Sequence, residues 1–260
     1  MAMLGVPREA LAELKRLSDE IALFIGSSRT SPAKYDTAEA ATQEMAAFFR
    51  DLIAKRRAAP HADAISELVH LKDDEDGDAF TDDELIATCI LMLFAGHETT
   101  TNHIANGMRS LMQFPGEMAR LRADPTLATA AVEELLRYDG PSGAQVRIVA
   151  ERHELHGKVL EPGQRIFVML NAANRDPRAY AEPDRLDLTR DGVPHLTFGF
   201  GLHICLGFPL ARTEGAVTFP ALLAHYAQIE PAFDEGGEPE WINSLVFRGM
   251  KSLPVRVRRA

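Results

Sequence analysis

The 260-residue chain holds two cysteines, Cys89 and Cys205. Cys205 stands in the segment Phe198-Gly199-Phe200-Gly201-Leu202-His203-Ile204-Cys205-Leu206-Gly207. Gly199, Gly201 and Gly207 let a backbone turn tightly and approach a bulky partner. A helical pattern follows from Gly207 to Tyr226, so the cysteine sits at a helix start. There, free amides and the helix dipole stabilise a thiolate and can hydrogen-bond a sulfur ligand. Phe198 and Phe200 offer an apolar wall, and His203 could contact a metal or an anion. A zinc site would need two more ligands nearby, and no Cys-x-x-Cys or His-x-x-x-His accompanies the pair. A buried, inert thiol is the plainer alternative. A single thiolate opposite an open coordination position is the haem-iron pattern that favours O–O cleavage.

A second cluster, Ala95-Gly96-His97-Glu98-Thr99-Thr100-Thr101, interrupts an apolar helical run. Glycine costs about 1 kcal/mol inside a helix, threonines compete for backbone hydrogen bonds, and a buried acid needs partners. Such local violations concentrate where function sits. Gly96 would let something flat approach the helix, and Glu98 with Thr99 supplies a carboxylate and a hydroxyl, the parts of a proton relay. A kinked helix with a hydrated polar patch is the alternative. A third cluster, Glu133-Glu134-Leu135-Leu136-Arg137, puts Glu134 and Arg137 three apart on one helix face. In isolation that pair reads as an exposed salt bridge of little worth.

These residues need elements to hold them. Apolar spacing predicts helices over Pro7–Ile25, Thr37–Arg57 (with Met45, Phe48, Phe49 and Ile53 as the buried stripe) and His61–Leu71. Gly26-Ser27-Ser28 and Ser31-Pro32 punctuate the first two. Asp73 to Asp78 reads as a solvated acidic loop, since the alternation and distal glutamate of a calcium loop are missing. Thr81-Asp82-Asp83-Glu84 is a capping box that opens a long central helix over about 81–114, on the order of 50 Å, stopped by Pro115-Gly116. Helices over Glu117–Ala123 and Thr126–Tyr138 follow. Arg147–Ala150, Leu155-His156, Lys158–Leu160 and Arg165–Leu170 are strand candidates, turned by Gly157 and Pro162-Gly163. Asn171–Gly201 lacks periodicity. The Gly207–Tyr226 helix should turn Leu210, Ala211, Val217, Leu222 and Leu223 inward. Leu245-Val246-Phe247 and Leu253–Val257 suggest a terminal β-hairpin. The class is mainly α with small β-sheets, with no repeat and no evident linker.

Composition narrows the function. The apolar fraction of 46% supports a core, and the net charge of −10 argues against nucleic-acid binding. The basic stretch Lys251–Arg259 reads as a solvated tail. Two distant cysteines fit a reducing compartment. Met1 to Arg8 lacks a basic stretch followed by an apolar core. The longest apolar run, Leu85–Gly96, falls short of the roughly 18–20 residues that span a bilayer. The expectation is a cytoplasmic protein with no membrane partner.

The three clusters together resemble the cytochrome P450 family, closest to its soluble bacterial class. Phe198-Gly-x-Gly-x-His-x-Cys205-x-Gly207 is similar to the haem-binding signature, Ala95-Gly96-His97-Glu98-Thr99-Thr100 to the oxygen-activation motif, and Glu134-x-x-Arg137 to the structural Glu-x-x-Arg. Arg185, in Pro183-Asp-Arg-Leu-Asp187, resembles the third member of that network. The likeness runs from near Leu4 to Val257, including Ala173-Asn174-Arg175-Asp176-Pro177 and Leu210-Ala211-Arg212. It implies a cytochrome P450 fold that carries haem b (iron protoporphyrin IX) on Cys205 as axial iron ligand. Glu98 and Thr99 would hold dioxygen and relay protons to it, and Ala95 and Gly96 would pass beside the distal face. Arg147 and His203 would hold propionates, with Phe198, Gly199 and Gly207 shaping the cofactor loop. Leu245 and Val246 would reach the substrate pocket. His97 falls at a variable position.

The implied reaction inserts one oxygen atom from O2 into a small apolar organic or polyketide-like substrate. Electrons would come from NAD(P)H through a separate ferredoxin and ferredoxin reductase, because no Gly-x-Gly-x-x-Gly follows a strand. Arg212 would contribute to docking on the cysteine side. Peroxide-driven haem oxidation is the nearer rival, and a non-catalytic, haem-poor fragment the farther one. Relative to the family pattern the chain reads as one partial domain over 1–260, truncated at its N-terminus. It lacks segments that supply sheet, pocket lid and propionate contacts. On that reading the 260 residues alone bind haem weakly or not at all, and exposed apolar surface lowers their stability.

Overall fold

The computed structural model describes residues 2–26, 33–71, 80–191, 194–233 and 237–260. The chain forms two compact units, residues 1–98 and 99–260.

In the first unit, a 3-10 turn at Arg8–Ala10 leads into α1 (Leu11–Gly26), followed by α2 (Lys34–Ala58) and α3 (Ala64–Val69). Leu14, Leu17 and Ile21 of α1 recur at helical spacing and are buried, as are Ala41, Met45, Phe49 and Ile53 of α2. Phe48 lies half-buried beside that stripe. Asp63 caps α3 by accepting from the Ser66 amide at 2.8 Å and takes Arg56 Nε at 2.6 Å in a largely buried ion pair. The acidic loop 73–78, and most of the punctuation at 26–32, lie outside the described residues.

The long helix α4 (Asp82–Gln113) starts in this unit and continues into the second. Its capping box forms: Glu84 accepts from the Thr81 amide at 2.9 Å, and the Thr81 hydroxyl accepts from the Glu84 amide at 3.3 Å. Leu85, Ile86, Cys89, Leu93 and Phe94 are buried along it. The helix runs unbroken through Gly96 to Thr101.

The second unit adds α5 (Pro115–Ala123), a 3-10 turn at Pro125–Leu127, α6 (Ala128–Asp139), the short α7 (Leu170–Ala173) and α8 (Phe208–His225). Pro115 opens α5 rather than only stopping α4, since a proline at the first helical turn loses no hydrogen bond. The core joins Met108 and Leu111 of α4, Leu121 of α5, Leu135 and Leu136 of α6, Phe219 and Leu223 of α8, and Leu186 and Leu188 from the irregular segment. Truncating a buried phenylalanine such as Phe219 costs about 3–5 kcal/mol.

Three two-stranded antiparallel sheets complete the unit: β1 (Ala144–Ile148) with β4 (Arg165–Met169), β2 (His153–Leu155) with β3 (Lys158–Leu160), and β5 (Tyr226–Pro231) with β6 (Val255–Arg259). The β2–β3 turn uses left-handed backbone at His156 (φ 50) and Gly157 (φ 74), the geometry of a tight two-residue hairpin.

Three expectations need correction. The terminal hairpin does not form: β6 pairs with β5, and Phe247 instead bridges Ser142. The reason is that α8 passes directly into β5, which offers an edge to the Val-Arg-Val-Arg stretch. The first strand starts at Ala144, not Arg147. On α8, Leu210 and Val217 face out, while Gly215, Phe219 and Leu223 form the buried stripe.

Candidate functional site

The Cys205 loop is held at its base and open at its tip. Gly199 and Gly201 take φ of 76° and 78°, a left-handed backbone that glycine adopts without strain. A Cβ on Gly199 would come within 2.9 Å of Gln145 Nε2, so the loop also packs closely against β1. The Cys205 amide donates to the Phe198 carbonyl at 2.9 Å, closing the loop across seven residues. Gly207 precedes α8 as its N-cap, and its α-carbon is near Cys205 Sγ: an added Cβ would stand 4.0 Å from the sulfur. Cys205 is exposed, whereas Cys89 is buried. Phe200 (87% exposed), Leu202, Ile204 and Leu206 surround the cysteine with outward apolar side chains. His203 is exposed at the end of the short 3-10 turn Gly201–His203. Phe198 is half-buried rather than a free wall.

Arg147 projects from β1, exposed, donating to the Val146 carbonyl at 2.9 Å and to Gln145 Oε1 at 3.0 Å. Leu245 is exposed and Val246 half-buried. The Val246 carbonyl accepts from the Gly143 amide at 2.8 Å, which ties this segment to the start of β1.

On α4, Ala95 and Gly96 are exposed, and a Cβ on Gly96 would touch nothing within 4 Å. Glu98, the last residue of the first unit, and Thr99, the first of the second, are each half-buried. Within the second unit Thr99, Asn102 and Asn106 recur at i, i+3 and i+7 and so share a helix face. That face meets the C-terminal segment. Asn106 Nδ2 donates to the Arg248 carbonyl at 2.8 Å and the Asp139 carbonyl at 3.2 Å, and Gly249 leaves no room for a Cβ beside Asn102. Asn102 and Asn106 were missed from the sequence, although their seven-residue register with Thr99 carried the signal.

The Glu134–Arg137 pair is buried, not exposed: its side chains are 3% and 2% accessible. Arg137 donates twice to Glu134, at 2.7 and 2.8 Å, and to the carbonyls of Asn174, Pro183 and Arg185. The third side chain is a correction. Arg190 Nε reaches both Glu134 oxygens, at 3.1 and 3.2 Å. Arg185 supplies only its carbonyl, while its exposed guanidinium pairs with Glu182. The 182–187 bend turns that side chain to solvent.

A second network lies beside the first. Glu133 takes Arg212 Nε at 2.5 Å and Nη2 at 2.8 Å, with His195 Nε2 3.3 Å away. Burial raises the Glu133 carboxyl, but Arg212 and His195 outweigh it and bring the pKa to about 2. Arg212 also stacks at 4.9 Å on Phe198 and 5.0 Å on Phe208, and its side chain stays 38% exposed while paired with the similarly exposed Glu133 carboxylate. His103 of α4 is buried with neither ring nitrogen hydrogen-bonded. Burial first, then the neighbouring His195, push its pKa down to about 4, with Glu133 opposing.

The donor set suits a preassembled metallocycle. Among the described residues no three His, Cys, Asp or Glu side chains gather to chelate an ion. What the loop offers is one accessible thiol, an apolar rim and the His203 ring, with the Arg147 guanidinium on the neighbouring β1. An iron that brings its own equatorial nitrogens needs only that one protein ligand.

The cytochrome P450 family model matches residues 21–244, and the chain belongs to that family. It is 40% identical to the cytochrome P450 monooxygenase PikC of Streptomyces venezuelae over 259 residues, 99% of this chain and 60% of that protein. It is 38% identical to the biotin biosynthesis cytochrome P450 of Bacillus subtilis, over 97% of this chain and 62% of that protein. Among solved structures, P450BioI in complex with an acyl carrier protein superposes with a TM-score of 0.88 at 36% identity, covering 99% of this chain and 64% of the other. The chain thus spans about 60% of the length of these relatives. The family uses haem. Among the described residues no helix is long and apolar enough to cross a membrane.

Proposed function

We propose that this chain is the haem-thiolate portion of a monooxygenase that inserts one atom of dioxygen into a small apolar organic molecule. Electrons would arrive from a separate ferredoxin-type donor. The observation that carries this is the exposed Cys205 thiol, held by a closed backbone loop at the entrance to α8. Haem b, once bound, supplies the iron at which dioxygen is reduced and cleaved.

The chain's own residues do the rest. Cys205 would hold the cofactor's iron through its sulfur, a ligand whose electron donation favours O–O cleavage. Arg147 and His203 offer charge-assisted hydrogen bonds to carboxylates of the cofactor. Phe198 and the outward Phe200, Leu202 and Leu206 would offer the bound cofactor an apolar rim beside the sulfur. Ala95 and Gly96 keep one side of α4 free of bulk. Thr99 would hold a hydroxyl and Glu98 a carboxylate for proton delivery beside the bound cofactor; because neighbouring residues of a helix do not face each other, the relay between them would run through water. Leu245 and Val246, tied to Gly143, present apolar surface to the substrate. The chain over 1–260 acts as part of one cytochrome P450 domain in this reading.

The test is haem titration into the full chain and into Cys205→Ser, read by the Soret band. A red-shifted band after reduction with carbon monoxide marks thiolate ligation. It should appear only in the parent chain, on the share of it that takes up haem. Turnover with reductant and redox partner, compared with peroxide alone, separates monooxygenation from peroxide-driven oxidation. Faster turnover with peroxide would overturn the dioxygen assignment.

A further inference from the structure

The Glu133–Arg212–His195 network has no part in the function proposed above, yet it grips the base of the cysteine loop. His195 accepts the Thr197 amide at Nδ1, 3.1 Å away, which leaves the ring proton on Nε2; that nitrogen lies 3.3 Å from Glu133 Oε2, in electrostatic contact with the carboxylate but without hydrogen-bond geometry to it. The Thr197 hydroxyl donates to the Leu136 carbonyl at 2.7 Å and accepts from Asn174 Nδ2 at 2.9 Å. Between them, these bonds pin residues 195–197 to α6 and α7. The next residue is Phe198. Its ring is packed against His195 at 5.4 Å and under the Arg212 guanidinium, and its carbonyl receives the Cys205 amide. A continuous chain of contacts therefore runs from the Glu133 carboxylate to the cysteine backbone.

We propose that His195, held by its Thr197 bond and by the Glu133 carboxylate beside it, is a positioning residue for Cys205: it sets Phe198, and through the Phe198 carbonyl it fixes the loop that presents the thiolate. The two glutamates of α6 divide the work. Glu134 turns to Arg137 and Arg190 and holds the irregular segment. Glu133 turns to α8 and holds the loop. His195→Phe keeps the ring packing but loses both nitrogens. His195→Asn keeps an acceptor where Nδ1 stood, so it isolates the Thr197 bond.

The experiment is amide hydrogen exchange on the full chain, read at Cys205 and at Asp187. The Asp187 amide donates to Glu134 at 2.9 Å and reports the other network. In His195→Phe and in Glu133→Gln, exchange at Cys205 should quicken about tenfold, the net worth of a lost hydrogen bond, with Asp187 unchanged. His195→Asn should recover most of the protection. Exchange at Cys205 within about twofold of the parent chain in both variants overturns the proposal. Equal acceleration at Asp187 also overturns it, because the network then supports the fold in general. This arm needs no haem. A second arm rests on the haem-thiolate reading: the share of loaded haem giving a thiolate-type band should fall in His195→Phe and return in His195→Asn. An unchanged share in His195→Phe counts against positioning, whereas a parent chain with no thiolate band defeats the haem reading and leaves the exchange result standing.

Discussion

Removing Arg137 should be among the most damaging single changes in the second unit. Its guanidinium makes five hydrogen bonds, two to Glu134 and three to backbone carbonyls, which uses all five N–H donors of the side chain. Arg137→Ala strands three carbonyls and leaves the buried Glu134 carboxylate with Arg190 and the Asp187 amide alone. Breaking a buried pair from one side costs about 3–5 kcal/mol, against a total stability of about 5–15 kcal/mol for an ordinary domain. Arg137→Lys should recover little, since a point charge cannot reproduce the planar fork. The graded comparison is sharper. Arg190→Ala should cost about 1.5–3 kcal/mol, as a charged hydrogen-bond donor to Glu134 is lost. Arg185→Ala should fall within about 0.5 kcal/mol, because its carbonyl remains. Urea unfolding followed by far-UV circular dichroism gives the order. A loss below about 1 kcal/mol for Arg137→Ala, the worth of a surface pair, would refute the buried-network account, and so would Arg185→Ala exceeding Arg190→Ala.

Other expectations follow from the same structure. Iodoacetamide at neutral pH should label Cys205 alone, since burial pushes the Cys89 thiol up to about 11; mass spectrometry should find one adduct in the native chain and two in denaturant. His103 is held near 4, below its ordinary 6.5, so the unfolded chain binds the extra proton and stability falls as pH drops from 6.5 toward 4. His103→Leu should flatten that part of the curve in urea titrations at stepped pH. Glu133, lowered from 4.5 to about 2, stabilises above 4.5 and loses that contribution as pH falls toward 2; Glu133→Gln should remove this lower limb. Gly107→Ala should destabilise by about 1–3 kcal/mol through overpacking, because its Cβ would lie 2.5 Å from the Phe219 ring; a gain in melting temperature would show that the ring yields.

What was legible in the sequence was mostly local. The capping box at Thr81–Glu84 depends on residues three apart, and it forms as read. The glycine spacing around Cys205 carries its own turn geometry, and the i, i+3 relation of Glu134 and Arg137 puts them in contact on α6. What failed depended on distant partners. Whether Glu134 and Arg137 are buried is decided by residues 174–190, which have no periodicity to read. The choice of Arg190 over Arg185 turns on a bend within that same stretch. The strand Tyr226–Pro231 follows a helix without a breaker, so the partner of Val255–Arg259 was invisible, and a nearer apolar stretch was taken instead. Leu210 and Val217 satisfied the expectation of an apolar stripe, but α8 buries the face carrying Gly215, Phe219 and Leu223. Glu133 lies 62 positions from His195 and 79 from Arg212, separations that no local pattern could disclose.

The central claim is that Cys205 is the iron ligand. The direct measurement is the absorbance of haem-loaded chain, reduced and exposed to carbon monoxide, for the parent and for Cys205→Ser, each normalised to the haem actually bound. The parent chain is expected to take up haem weakly, but the share that binds should show the red-shifted thiolate band, which should be lost completely in Cys205→Ser, while circular dichroism shows the same helix content in both. Identical spectra from the two chains, or a thiolate band that vanishes on Cys89→Ser instead, would contradict it.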